Sequence, residues 1–217
     1  MNLLVTAGPT REFLDPVRFL SNRSTGKMGY ALAEAGLARG HAVRLISGPV
    51  SLVPPEGAEL TRVTSAADML AAVLDALADC DVLVMCAAVA DWRPRQVAVQ
   101  KLKKNAMSGT LELERTADIL QAVRGLRRPG QLVVGFAAET ENLLAAADGK
   151  RSAKGLDLIV ANDVSRHDAG FEVDTNAVCL VTASGVEPLP LMSKRAVADR
   201  ILDWIEANCP PLAYAEN

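Results

Sequence analysis

Short runs of aliphatic and β-branched residues alternate along this chain with longer segments whose apolar positions recur at helical spacing. "LLVTA" at 3–7, "AVRLIS" at 42–47, "DVLVMCA" at 81–87, "QLVVGFA" at 131–137 and "LDLIVAN" at 156–162 read as strands. Their apolar character is nearly continuous, which belongs to strands covered on both faces. Between them, helices are predicted from about Lys27 to Arg39, over "TSAADMLAAVLDAL" at 64–77, from about Ala117 to Leu126, and over "TENLLAAADGKRSAKG" at 140–155. Gly40 stops the first, and Thr64 or Ser65 caps the second.

The chain ends differently. "NAVCLVTASGVEPLPL" at 176–191 places two strand-like runs around Ser184 and Gly185, a hairpin signal, and an amphipathic helix follows from about Lys194 to Ala207. The alternation predicts a Rossmann-like α/β fold in three layers: a mainly parallel sheet, helices on both faces, and a C-terminal β-hairpin. We expect one domain over 1–207 and a loose tail over 208–217. Gly8–Gly26, 48–58 and the basic stretch Asp91–Ser108 read as loops, and "TLELE" at 110–114 as a short strand.

Composition narrows the partners. A net charge of −3 argues against a broad nucleic-acid surface. The four cysteines have no metal-site spacing and read as reduced thiols of a cytoplasmic protein. No apolar run approaches the ~18 residues that suggest a membrane span, so no membrane association is expected.

In an open parallel sheet, ligands bind outside the carboxyl ends of the strands, and the informative loops here follow strands. "RFLSNRSTGKMG", Arg18–Gly29, is not a Walker A loop, which would need Gly in place of Ser21 and Ser or Thr in place of Met28. No G-x-G-x-x-G follows the first strand either. Ser24 and Thr25 supply hydroxyls that either cap the helix or, with its amides, meet an anion. Arg18 either grips a carboxylate or phosphate of a ligand with its planar fork or forms a surface ion pair beside a turn-forming Asn22. Asn22 cannot exchange protons, so it suits orienting an acyl group or a developing oxyanion.

In "CAAVADWRP" the small Ala87, Ala88 and Ala90 either leave room for a flat ring, with Asp91 accepting from an exocyclic amine, or serve tight strand–helix packing with Asp91 as a capping residue. Lys101, Lys103 and Lys104 are either solvated or set to neutralise a polyphosphate. Phe136 is a stacking surface or a core ring. Lys150 and Lys154 are an i,i+4 pair of like charges, which calls for an acid or anion between them.

Taken together, these segments resemble the phosphopantothenate–cysteine ligase family from about Leu3 to Ala207. The resemblance is carried by "TAGPTREFLDPVRFLSNRSTGKMG", "SGPV", "CAAVADWRP", "KLKK", "ADIL", "GFAAET", "KGLDLIVAND" and "FEVDTN". It implies a ligase of coenzyme A biosynthesis that joins 4'-phosphopantothenate to cysteine through an acyl-cytidylate, using CTP and Mg2+ or Mn2+. It also implies a homodimer, with the C-terminal hairpin one candidate contact, and a flavin-dependent decarboxylase as a fused or separate partner. Carried over residue by residue, Asn22, Arg18 and Lys101 become the catalytic candidates, Lys101 sitting with Lys103 and Lys104 in a flap. Met85, Cys86 and Ala87 line the cytidine, and Asp91 reads its amine. Thr116, Ala117, Asp118 and Ile119 match a nucleotide loop that often reads Asn-Pro-Asp-Ile, so Thr116 and Ala117 depart from it. Thr25 stands where Ser is common and Trp92 where Tyr is common, and "FEVDTN" lacks the frequent Gly-Ser. Phe136 lies by the nucleotide, and Lys150 and Lys154 meet its charged part. The resemblance assigns no metal ligands here. The competing readings are a non-catalytic Rossmann-type nucleotide-binding module and an NAD(P)-dependent dehydrogenase. The dehydrogenase is weakened by the missing glycine fingerprint and the lack of a Tyr-x-x-x-Lys pair.

Overall fold

A computed structural model describes residues 1–103, 109–139, 143–163 and 168–209. In chain order the elements are β1 (Asn2–Ala7), β2 (Arg11–Phe13), β3 (Phe19–Ser21), α1 (Lys27–Ala38), β4 (Ala42–Ser47), β5 (Glu59–Arg62), α2 (Ala66–Leu77) and β6 (Val82–Met85). Then come β7 (Trp92–Pro94), β8 (Leu113–Arg115), α3 (Ile119–Leu126), β9 (Leu132–Glu139), α4 (Leu143–Lys154) and β10 (Leu158–Asp163). The chain closes with β11 (Thr175–Asn176), β12 (Val178–Thr182), β13 (Gly185–Pro188), β14 (Met192–Ser193) and α5 (Lys194–Asn208).

The central sheet runs β13-β12-β10-β9-β6-β1-β4-β5. From β10 to β5 every pairing is parallel, while β12 and β13 join antiparallel as a hairpin. Alternate residues of each strand feed two separate cores, as the period of two requires. Leu3, Val5, Leu158 and Val160 pack with α1 and α5 on one face; Leu4, Leu83, Ile159 and Ala161 pack with α2, α3 and α4 on the other. This is the three-layer architecture the hydrophobic pattern predicts. The chain moves outward from β1 to β4 on one side and to β6 on the other. The loops after β1 and β6 therefore part at a topological switch point, where such sheets open a crevice.

Ser65 caps α2 with a full capping box. Neither Ser24 nor Thr25 caps α1: the N-cap is Gly26, at φ 81 with no side-chain cap. That backbone needs glycine. Ser24 Oγ instead accepts from the Gly26 amide at 3.3 Å, and Thr25 Oγ1 donates to the Phe171 carbonyl at 2.8 Å. The first turn of α1 is thus left free of a capping side chain at the cavity described below. A Cβ on Gly29 would lie 2.6 Å from Ala7 Cβ, so this glycine lets α1 sit directly on β1. Gly29→Ala is expected to cost about 1–3 kcal/mol by overpacking, read as a lower urea midpoint with an unchanged slope.

Several elements depart from the sequence expectation. The polar segment after β1 holds the β2–β3 hairpin, the basic segment after Asp91 begins with β7 paired to β8, and β5 forms an unforeseen sheet edge. All are strands of three or four residues, too short for an apolar run to announce them. The third helix begins at Ile119 because Asp118 is its cap, its side chain accepting from the Gln121 amide at 3.0 Å. α5 continues through Asn208, and residues 210–217 of the expected tail lie outside the described residues. Among the described residues, no helix is long and apolar enough to cross a membrane.

Candidate active site

A cavity of about 860 Å³ opens at the carboxyl edge of the sheet, over the switch point. It is lined by the loop after β1, the loop after β6, the ends of β9 and β10, and the starts of α1, α3 and α5.

The first two loops are stitched together. The Ala88 amide donates to the Gly8 carbonyl at 2.9 Å, and the Thr10 amide donates back to Ala88 at 3.3 Å. Thr6 and Thr10, both fully buried, accept from the amides of Ala87 and Ala90 through their hydroxyls. Asn22 completes the seam. Its Nδ2 donates to the carbonyls of Ala88 at 3.0 Å and Val89 at 3.2 Å. Both of its N–H bonds are thereby used, and the atom left for a ligand is the acceptor Oδ1.

On the α3/α4 side, Asp118 and Lys154 form an ion pair, and Lys150 Nζ donates to the Phe136 carbonyl at 3.0 Å. Burial pushes the Asp118 carboxyl up, but Lys154, the Gln121 amide and Lys150 outweigh it, and the carboxyl sits below its usual range. The acid that two neighbouring lysines demand is therefore Asp118. Thr116 closes this wall, its hydroxyl donating to the Ala90 carbonyl at 2.6 Å. Phe136 lines the cavity while its ring packs on the α1/α5 core. Burial pushes the Cys86 thiol up to about 12, so it is no nucleophile at neutral pH.

On the α1/α5 side the cavity meets Met28, Asn162, Asn176 and Lys194. Lys194 opens α5 and donates Nζ to the carbonyls of Gly170, at 2.7 Å, and Val173. Burial, with Lys27 nearby, brings its ammonium down to about 8. The loop that carries these carbonyls is tied across the start of α1 by Arg23–Glu172 and Lys27–Asp174 ion pairs, each 2.6 Å.

Of the residues singled out in the sequence, Asn22, Met85, Cys86, Ala87, Asp91, Phe136, Lys150 and Lys154 line this one cavity, as do Thr116, Ala117, Asp118 and Ile119. Arg18 and Lys101 are not among its walls. Arg18 grips the fully buried Asp15, Nε to Oδ2 at 3.0 Å, and donates Nη2 to the Leu102 carbonyl at 2.9 Å. Asp15 in turn accepts from the Leu102 amide at 3.1 Å. Arg18 thus fixes the base of the basic segment. Lys101 and Lys103 are exposed there, and Lys104 lies outside the described residues. Sequence reasoning gave no role to Asp15, Asn162 or Lys194. Asn162 lies near the end of an apolar strand and Lys194 begins a helix, and nothing in their local sequence shows that both face this cavity. Among the described residues, no three His, Cys, Asp or Glu side chains gather as a metal site.

The chain matches the family described as DNA/pantothenate metabolism flavoprotein C-terminal domain over residues 1–209. It is 52% identical over 208 residues to the coenzyme A biosynthesis bifunctional protein CoaBC of Bacillus subtilis, covering 95% of this chain and 51% of that protein. The chain therefore spans about half the length of that relative. A crystal structure of the C-terminal domain of CoaBC superposes with a TM-score of 0.81 at 43% identity, covering 95% of this chain and 94% of that one. A Cab2 variant in complex with phosphopantothenate-cysteine shares the fold, with a TM-score of 0.79 at 18% identity over 95% of this chain and 84–85% of the Cab2 chains.

Proposed function

The chain belongs to the family of the DNA/pantothenate metabolism flavoprotein C-terminal domain, and from that premise we propose that it is a CTP-dependent phosphopantothenate–cysteine ligase. The carboxylate oxygen of 4'-phosphopantothenate attacks the α-phosphorus of CTP, the bond to the β-phosphate breaks, and pyrophosphate leaves. The cysteine amine then attacks the acyl carbon, loses a proton, and expels CMP. The observation that carries this reading is the convergence of the Asn22 loop with the Ala87–Asp91, Thr116–Ile119 and Lys150–Lys154 segments in one cavity.

The chemistry of the walls supports a division of labour. The α3/α4 side holds two lysines against one carboxylate, an excess of positive charge suited to a triphosphate. The uncapped start of α1 presents amides to a second anion. Asn22 lies between, where an acyl group joining the two would sit. A magnesium ion fits a site without a protein cage, because it keeps its waters and binds mainly through substrate phosphates. Once bound, it would screen the phosphate charge that develops as pyrophosphate departs.

The test is pyrophosphate release with phosphopantothenate, magnesium and CTP, followed by mass spectrometry after cysteine is added. Binding of CTP with no pyrophosphate would leave the nucleotide-binding module as the reading. With Asp91 and the Ala87 backbone reading cytosine, CTP should exceed ATP by at least about tenfold in kcat/KM, or about 1.4 kcal/mol. Equal specificity would remove Asp91 from that role.

The homodimer is part of the proposal, and so are a flavin-dependent decarboxylase, fused or separate, and a cytoplasmic setting. The four cysteines form no disulfide, as suits a reducing compartment. For the dimer contact, the C-terminal hairpin offers Val186 as its exposed large apolar residue. The β2–β3 hairpin offers more: Phe13, Val17 and Phe19 are exposed, and the two rings meet edge to face at 5.8 Å. Phe19→Glu together with Val17→Glu should shift sedimentation from dimer to monomer, whereas Val186→Glu should not. The opposite pattern would return the contact to the C-terminal hairpin.

A further inference from the structure

The stretch Ala87–Ala90 after β6 carries only alanine and valine side chains, which form no hydrogen bonds. Its shape is therefore imposed from outside, by the groups that satisfy its backbone. Thr6 Oγ1 accepts from the Ala87 amide at 3.1 Å, and Thr10 Oγ1 accepts from the Ala90 amide at 2.9 Å. Asn22 donates to the carbonyls of Ala88 and Val89, and Thr116 donates to that of Ala90. The Ala87 carbonyl is not among the groups so held. Asn22 and Thr116 line the cavity, so either can also touch a ligand. Thr6 and Thr10 are fully buried and are not among its walls. Whatever these two hydroxyls do for a ligand passes through the backbone they hold. Thr10 has the wider reach of the two. Its own amide donates to the Ala88 carbonyl at 3.3 Å, and its carbonyl accepts from Ser21 Oγ at 2.7 Å. One residue thus ties the loop that leads into Asp91 to the end of β3 that leads into Asn22.

A base edge met by peptide groups is recognised only as well as those peptide planes are aimed, because hydrogen bonds weaken steeply with misalignment. Within the ligase reading, on which this inference rests, cytosine is told from adenine by the Asp91 carboxylate and the Ala87 backbone. The Ala90 peptide directly precedes Asp91, so turning it swings the carboxylate. The Ala90 amide is buried, and the Thr10 hydroxyl is its partner. Without that oxygen the amide would stand unsatisfied in the interior, and the loop would relax to find it another acceptor. We propose that Thr10 is a positioning residue for nucleotide selection: its buried hydroxyl holds the Ala90 amide and so aims Asp91 and the Ala87–Ala90 backbone at the base without touching it.

The test compares Thr10→Val, which keeps the shape and removes the hydroxyl, with Thr10→Ser, which keeps the hydroxyl and removes the methyl group. Calorimetry with CTP and with ATP reads binding apart from turnover. The natural protein should prefer CTP by about tenfold or more. Thr10→Val should cut that preference by at least about fivefold, the lower end for a buried donor left without its partner, and should do so through weaker CTP binding. Its affinity for phosphopantothenate should stay close to the natural value. Thr10→Ser should keep the CTP preference even where the lost methyl group lowers its melting temperature. Lost packing alone cannot give this pattern, since the serine variant loses packing and the valine variant does not. Thr10→Ala loses both and should share the fallen preference, which keeps the test open if the valine variant does not fold. An unchanged preference in Thr10→Val overturns the proposal. So does an equal fall in Thr10→Ser, a loss of phosphopantothenate affinity as large as that of CTP, or unfolding of both the valine and alanine variants, which would make Thr10 a structural residue. A natural protein that binds CTP and ATP alike overturns it too. Failure of the ligase reading is distinct: the natural protein would then bind CTP in preference yet release no pyrophosphate with phosphopantothenate and magnesium.

Discussion

Asn22→Asp is expected to form the acyl-nucleotide and then stall. The substitution keeps the shape of the side chain and its acceptor oxygen but replaces its donor edge with a second acceptor. On one edge, Nδ2 now donates to the carbonyls of Ala88 and Val89. A carboxylate there would face two carbonyl oxygens with no proton to offer, so the seam between the two loops would loosen. On the other edge, Oδ1 is an acceptor placed to orient the N–H of an attacking amine. The oxyanion-donor role open to Asn22 from sequence alone is spent on those carbonyls, and the acceptor role remains. The first step needs neither edge, since it proceeds between carboxylate and phosphate. The loosened seam takes the acceptor oxygen out of line with the amine, so the second step should slow by roughly 10²–10³-fold, the scale for misplacing a hydrogen-bonding group at an acyl-transfer centre. Quench-flow with CTP, magnesium and phosphopantothenate would show the labelled intermediate, and it should persist when cysteine is added. A folded variant that forms no intermediate would move Asn22 to the first step, and normal turnover would remove it from the chemistry.

The layers of this fold were legible because its strands are buried on both faces. Five apolar runs, helices between them and a final hairpin leave few other arrangements. Of the additions around the cavity only β8 was legible, from "TLELE"; β2, β3 and β7 were not, because they are held by strand pairing and are too short to carry an apolar pattern. The same contrast divides the site. Residues in unusual local strings, such as Asn22 in "LSNRS" and Asp91 in "CAAVAD", could be picked out and do line the cavity. Asn162 and Lys194 gain meaning only from the fold, which brings both to the cavity wall. Arg18 shows a third case. Its residue type correctly announces a grip on a carboxylate, but that carboxylate is Asp15, three residues away, whose Oδ2 takes two of its N–H groups. Local ion pairs and ligand clamps look alike in a sequence.

Lys101→Gln is expected to slow acyl-nucleotide formation by about 10²-fold, the scale for removing one electrostatic donor from a charged transition state. Lys101 is exposed, so the variant should melt with the natural protein. What places the lysine is its neighbour. The Leu102 amide is held by Asp15 and its carbonyl by Arg18, while Asp15 also takes the amides of Val17 and Arg18 at 2.8 and 2.9 Å. The Arg18 guanidinium keeps the Asp15 carboxyl well below the usual carboxylate range, so the clamp stays charged at any working pH. Asp15→Asn would keep an oxygen for some of these donors but lose the charge that organises Arg18, and it should both lower the melting temperature and slow the first step. If the clamp acts by positioning Lys101, the two substitutions share one effect. Single-turnover pyrophosphate release by the double variant should then be little slower than by Lys101→Gln alone. Arg18→Lys, which keeps the charge but not the fork, should resemble Asp15→Asn. Rate losses that multiply would instead mean that Arg18 or Asp15 reaches the substrates independently of the lysine.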